Sequence, residues 1–208
     1  MWEENPEAEL VSSPPPAKLT DPVARREWWD RVWGLWGPVR GSVVRAEPSV
    51  AHKKIAQLEE VGKQVVVVTQ NVDGLHQEAG STEVVELHGN LLRTKCSRRD
   101  CKSPARVDKV AHLVAPVCER CGRAERPDVV LFSEGLDGHS WDKAEWAVRG
   151  SEVVVVVGSS GAVYPANLLV GLRGKDTTAI LVGPGAWMGR EVEWDAEFKG
   201  TADEFFCW

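Results

Sequence analysis

Val65-Val66-Val67-Val68-Thr69-Gln70-Asn71-Val72-Asp73-Gly74-Leu75-His76 is the stretch on which the fold of this chain turns. Its apolar, β-branched first half predicts a strand over 64–69, buried on both faces as in a parallel sheet. The polar half that follows puts Gln70, Asn71 and Asp73 at the carboxyl end of that strand, where open α/β sheets bind ligands. Amides donate and accept hydrogen bonds whereas a carboxylate only accepts, so a ligand with a carboxamide and sugar hydroxyls suits the cluster. Glu86-Leu87-His88-Gly89 comes next, with His88 positioned to move a proton.

The same alternation of strand and helix continues outward from this motif. Apolar runs predict further strands over 152–158 and 178–182, and Pro165-Ala166-Asn167-Leu168-Leu169-Val170 reads as a crossover helix between them. Upstream, Asp21-Pro22 opens a helix that carries Trp29, Trp33 and Trp36 on one face as core or cleft lining. Pro48-Ser49 opens a second helix with Ala51, Ile55 and Leu58 on one side, closed by Gly62. The fold class is therefore α/β: a Rossmann-like parallel sheet with helices on both faces, plus a small insert. The expected organisation is an irregular segment over 1–20, the Rossmann-like domain over 21–92 and 129–208, and the insert over 93–128.

The insert holds Cys96-x4-Cys101 and Cys118-x2-Cys121, two pairs separated by sixteen residues. Four thiolates from two short turns are the ligand set of one tetrahedral structural zinc, with no open position for a catalytic water. Gly122 supports the tight turn after the last ligand, while Cys207 reads as a lone thiol and His112 as solvent-facing.

Composition narrows the function classes. Twenty-five basic residues against 31 acidic ones give a net charge of −6, which lends no support to nucleic-acid binding. No apolar stretch approaches the roughly 18 residues needed to span a bilayer, and the start lacks the regions of a signal peptide. Paired cysteines suited to a metal rather than to disulfides point to a reducing compartment, so the expected location is cytoplasmic. Oligomeric state is not legible.

The Gln70-Asn71-x-Asp73-x-Leu75-His76 run followed by Leu87-His88-Gly89 resembles the signature of the sirtuins, NAD-dependent protein-lysine deacylases. The resemblance extends from about residue 48 to 202 in the same order. Pro48-x-x-x-His52 comes first, and Arg126 to Glu134 follows the cysteine insert. Gly158-Ser159-Ser160, Val163-Tyr164-Pro165-Ala166 and Gly200-Thr201-Ala202 complete it.

The resemblance implies that Gln70 bonds the ribose beside nicotinamide and that Asn71 and Asp73 shape the nicotinamide pocket. His88 would be the general base, deprotonating a ribose hydroxyl after the acyl oxygen attacks the anomeric carbon and nicotinamide leaves. The products would be O-acyl-ADP-ribose and free lysine. An imidazole suits this because its proton exchange falls near neutral pH. Gly158, Ser159 and Ser160 would contact the adenosine part of NAD, with Gly183 and Ala202 at the same end. Val130, Phe132 and Glu134 on one side, and Val163 and Tyr164 on the other, would pair with an acylated-lysine peptide or protein by strand addition. His76 would hold the signature loop.

Three departures from the family pattern carry expectations of their own. The family's glycine-rich opening strand and pyrophosphate loop are not found ahead of Met1-Trp2, which predicts weak NAD binding and reduced activity for these 208 residues. Ser133 stands where the family has the glycine of Phe-Gly-Glu, which would narrow the peptide groove. Gly183 replaces the asparagine of an Asn-Pro pair, so it offers no side chain to the adenine-side ribose. The Tyr-x-x-Arg pair that selects acidic acyl groups is missing, although Arg40 is within reach of a carboxylate, so a neutral acyl group such as acetyl is expected. Mono-ADP-ribosyl transfer and a non-catalytic, partner-binding zinc module are the alternatives.

Overall fold

A computed structural model describes residues 21–207, and the segment expected to be irregular, 1–20, lies outside them. The chain divides into two compact units. One comprises residues up to Ala46, Asn71–Gly74 and His88–Leu136. The other comprises Glu47–Gln70, Leu75–Leu87 and the residues from Asp137 onward.

In the first unit, helix α1 (Pro22–Val43) begins at the Asp21 cap, whose carboxylate accepts the Ala24 N–H at 2.8 Å, with Pro22 at the first helical position. Strands β3 (Gly89–Cys96), β4 (Arg106–Val107) and β5 (Glu125–Val129) form an antiparallel sheet in the order β4-β3-β5. The tryptophan face of α1 packs against it: Trp29 and Trp33 are buried with Leu91, Val129 and Leu131, and Trp36 flanks them. This unit is wider than the 93–128 insert expected from the cysteines, because α1 and the sheet share one apolar core.

That core also encloses a network of charges. Arg40, on α1, has no exposed surface; its Nη1 lies 3.5 Å from the Asp108 carboxylate, and its Nη2 donates to Arg93 O at 2.9 Å and to Thr94 Oγ1 at 3.1 Å. The guanidinium stands 4.4 Å from the Trp33 ring centroid. Asp108 further accepts from Thr94 Oγ1 at 3.0 Å and from the Val110 N–H at 3.1 Å, and it contacts Arg106. His112 Nε2 bonds the same carboxylate at 2.9 Å, and its ring meets Trp33 edge-on. Two expectations are corrected here. His112 is drawn inward by Asp108 rather than facing solvent, and Arg40 is neutralised inside the unit, so it does not reach for a substrate carboxylate.

The second unit carries helix α2 (Val50–Glu60) and the parallel pair β1 (Val67–Thr69) and β2 (Val84–Glu86), with Val67 opposite Val84 and Thr69 opposite Glu86. After helix α3 (Leu75–Glu78) and helix α4 (Gly138–Gly150) come β6 (Val153–Val157), β7 (Thr178–Val182) and β8 (Ala196–Phe198). These three form a parallel sheet in the order β6-β7-β8. The crossover expected from Pro165 is a tighter 3-10 helix, Ala166–Leu172. Val85, Leu87, Ala144, Val148, Ala166 and Leu169 make the core, with Val66, Val68 and Val154 against it. The valine runs are not buried on both faces as expected. β1 is half-buried, and Val153 and Val155 of β6 are exposed, because each strand pairs on one side only among the described residues.

Burial raises the Asp108 pKa, but His112, the Val110 N–H and Thr94 outweigh it and hold the carboxyl below the usual range. A depressed carboxylate stabilises the fold above its unfolded pKa and loses that contribution as pH falls through the folded value. Asp108→Ala leaves Arg40 buried and unpaired, and we expect it to lower stability by about 3–5 kcal/mol. Urea titration at pH 7 measures the loss, and a variant within 1 kcal/mol of wild type contradicts the account of this network.

Candidate functional site

The two motif segments leave neighbouring parallel strands at the same level. Leu87 donates its N–H to Thr69 O at 2.9 Å, so Gln70 and His88 each follow directly on a residue of that ladder. Gln70 closes a segment of the second unit, and Asn71–Gly74 and His88 belong to the first. There Leu91 donates to Val72 O at 2.7 Å, which lays the Asn71–Gly74 segment beside β3. Val130 donates to His88 O at 2.9 Å, which fixes the His88 backbone against the end of β5. Asn71, Asp73 and His88 are thus held in the first unit by main-chain bonds, and Gln70 sits at the end of β1 in the second.

The remaining expected residues fall into the same two groups. In the first unit, Val130 is half-buried and Phe132 is exposed, so the Phe132 ring is open to a partner. Glu134 is turned inward. Both its oxygens meet Arg126, at 2.6 and 2.7 Å, and one also accepts the Leu131 N–H at 2.9 Å. Burial raises the Glu134 pKa, and Arg126 overrides it to hold the carboxyl below its ordinary value. Glu134 therefore shapes the 129–134 turn from within. Ser133 adopts φ 63°, the left-handed region that favours glycine.

In the second unit, Val163 and Tyr164 are exposed, and Gly158, Ser159 and Ser160 form the turn that leaves β6. A side chain added at Gly158 would meet nothing within 4 Å, and one at Gly183 would meet only Gly158 N at 3.9 Å. At Gly158 and Gly183 the carboxyl ends of β6 and β7 therefore present backbone with no side chain crowding it. Gly183 donates its N–H to Phe198 O, and Ala202 opens the short helix α5 (Ala202–Phe205) behind its Thr201 cap. Sequence reasoning did not foresee that Asp203 ties this end to α2. Asp203 accepts from Ser49 Oγ at 2.7 Å and from the Ala51 N–H at 2.8 Å. His52 Nδ1 accepts the Ser49 N–H at 3.3 Å, and the His52 ring packs on His76 with centroids 4.5 Å apart. The Pro48-x-x-x-His52 spacing was the available signal for that arrangement.

The four cysteines converge in the first unit. Their Sγ atoms all lie within 4.8 Å of one another, with Cys96–Cys121 at 3.5 Å and Cys101–Cys118 at 3.9 Å. Zn–S bonds of about 2.3 Å in tetrahedral array put sulfurs about 3.8 Å apart, so this donor set fits one structural zinc. Cys96 ends β3, and Gly122 (φ 70°) completes the turn by donating to Cys118 O at 2.8 Å. Burial drives the Cys96 thiol well up, whereas N–H bonds from Cys121 and Arg120 pull Cys118 down to about 7 against the burial that opposes them.

The chain matches the model of the Sir2 family over residues 16–165. It is 42% identical to an NAD-dependent protein deacylase of Aeropyrum pernix over 195 residues, 92% of this chain and 74% of that protein. It spans 62% and 60% of the length of two further curated relatives. Among solved structures, it superposes with a TM-score of 0.82 on a Sir2 homologue in complex with ADP-ribose. That match is 31% identical and covers 99% of this chain and 79% of the other. A Sir2 structure bound to an acetylated peptide matches with a TM-score of 0.74 at 27% identity, covering 86% of this chain and 76% of that one.

Elemental analysis is expected to find one zinc per chain. Cys96→Ser or Cys121→Ser should abolish it and lower the thermal midpoint, and full zinc retention by either variant contradicts the ligand assignment. At Ser133 the backbone favours glycine, so Ser133→Gly is expected to raise stability by about 0.5–1 kcal/mol. A lower urea midpoint would show instead that the serine side chain compensates its backbone.

Proposed function

The chain belongs to the Sir2 family, and from that membership we propose that it is an NAD-dependent protein-lysine deacylase acting on acylated lysine in a peptide or protein. The observation that carries this reading is the placement of Gln70 and His88 directly after Thr69 and Leu87, which are bonded at the carboxyl ends of paired parallel strands. Bound NAD supplies an anomeric carbon with nicotinamide as its leaving group.

For that chemistry, Gln70 would orient the ribose hydroxyls, Asn71 would donate to or accept from the carboxamide, and Asp73 would accept from its NH2. His88 would take the proton from a ribose hydroxyl, its main chain held by Val130 so that the imidazole starts from a fixed point. Gly158, Ser159 and Ser160 would receive the adenosine end, with Gly183 and Ala202 beside them; the open backbone at Gly158 and Gly183 supports this. In the first unit, exposed Phe132 would meet the substrate chain with Val130, and Glu134 would act by shaping the 129–134 turn; in the second unit, exposed Val163 and Tyr164 would meet it as well.

The burial of Arg40 against Asp108 supports a neutral acyl group such as acetyl, since no guanidinium is released from that pair to hold an acidic one. A zinc-binding set of four cysteines, rather than disulfides, suits a reducing compartment, from which a cytoplasmic setting is proposed.

Incubation with NAD and an acetyl-lysine peptide is expected to yield nicotinamide and O-acetyl-ADP-ribose in equal amounts. His88→Ala should slow this about 10²–10⁴-fold while leaving zinc content unchanged. Nicotinamide release with ADP-ribose retained on protein would replace deacylation by ADP-ribosyl transfer. No nicotinamide from folded, zinc-bearing protein would overturn the enzymatic reading.

A further inference from the structure

Two loops leave the carboxyl ends of β6 and β7, adjacent parallel strands whose last paired residues are Val157 and Val182. The first is the turn 158–161, built on two glycines with positive φ, 63° at Gly158 and 73° at Gly161. The second, running from 183 to 190, carries one large half-buried side chain, Trp187, among the exposed residues Pro184, Gly185, Ala186, Met188 and Arg190. The indole lies against Gly161 and Gly189. A Cβ on Gly161 would stand 2.7 Å from Trp187 Cε2, and one on Gly189 would stand 2.6 Å from Cζ2. Carbon atoms do not approach that closely, so both positions require a bare backbone for the ring to fit.

Polar bonds lock the contact in place. Met188 donates its N–H to Ser160 O at 2.6 Å, and Trp187 Nε1 donates to Arg190 O at 2.8 Å. Trp194 meets the Trp187 ring edge-on, centroids 5.4 Å apart and planes at 78°. From the other side, Asn167 Nδ2 donates to Gly161 O at 2.9 Å. The 158–161 turn is therefore clamped between the 3-10 helix and the Trp187 loop, while its outward backbone at Gly158 remains open.

We propose that Trp187 is a positioning residue for the nucleotide site: its ring, seated on Gly161 and Gly189, holds the 158–161 turn in the shape that receives the adenosine end of NAD. The proposal rests on the reading of that turn given under the proposed function. Gly183 has no side chain to touch a ribose, so this loop's contribution to affinity passes through the neighbouring turn. A turn already ordered before binding spares the ligand the entropy of ordering it. Removing the ring returns that ordering to the binding step and leaves proton transfer at His88 as it was.

The test compares wild type with Trp187→Ala and Trp187→Phe by calorimetry with NAD and by steady-state kinetics with an acetyl-lysine peptide. Releasing a few residues of loop should weaken NAD binding and raise the KM for NAD about ten-fold. The peptide KM, kcat at saturating NAD and the zinc content should not change. Trp187→Phe keeps an aromatic ring over Gly161 and should recover most of the affinity. Trp187→Leu stands in for the alanine variant if that chain does not fold. If wild type binds NAD and Trp187→Ala binds it equally well, or loses kcat and NAD affinity together, the proposal is overturned and the function reading stands. If wild type binds no NAD, the function reading falls and takes this proposal with it.

Discussion

A guanidinium with no solvent-exposed surface has to be neutralised where it stands, and Arg40 sets that condition for the first unit. Burial pulls its pKa down to about 10, and Asp108 opposes the fall. The network it builds joins three separate segments: α1 supplies Arg40, β3 supplies Thr94 and the Arg93 carbonyl, and the strand β4 leads into Asp108 and His112. Apolar packing of Trp29 is non-directional, whereas the Arg40 network and the Trp33 Nε1 bond to Glu125 O at 2.8 Å hold the helix at one position on the sheet. The helix, the sheet and the loop after β4 are thus fixed in one register, and the cysteine turns are attached to that sheet.

The strand-end constraint in the second unit was legible in the sequence, and the charge network was not. A valine run followed by Gln70, Asn71 and Asp73 announces both a strand and what stands at its end, because period and polarity change at one residue. The cysteine pairs were equally plain, since metal ligation depends on spacing within short turns that sequence preserves. The strand at 178–182 appears where its apolar run put it, whereas of the strand expected over 64–69 only Val67–Thr69 forms.

What failed to show in the sequence shares one physical character: it depends on pairing across long separations. Arg40 and Asp108 are sixty-eight positions apart, and nothing in the local pattern of Arg40, on a helix with tryptophans, marks it for full burial. His112 has no ligand spacing and so nothing local that predicts burial, yet a carboxylate four residues away turns it inward. Glu134 looks like an available polar residue at the end of an extended segment until Arg126, eight residues earlier, takes both its oxygens. The exposure of Val153 and Val155 could not be read from composition either. A run of valines states what a strand is made of, and its burial is decided by whether a neighbour lies on each side.

One strand joins the zinc site to the chemistry. β3 begins at Gly89, the residue after His88, and ends at Cys96, so eight residues carry the chain from the proposed base to the first ligand. At about 3.4 Å per residue that is roughly 25 Å of extended backbone, too far for the metal to act on a reacting atom. β5 runs back antiparallel from the turn after Cys121 to Val129, and the next residue, Val130, grips His88 O. A metal that pins the cysteine end of both strands therefore limits sliding at their other end, where His88 sits. A zinc there would act by keeping the β3–β5 pair in register, a role that needs four protein ligands and no open coordination position, as the donor set provides.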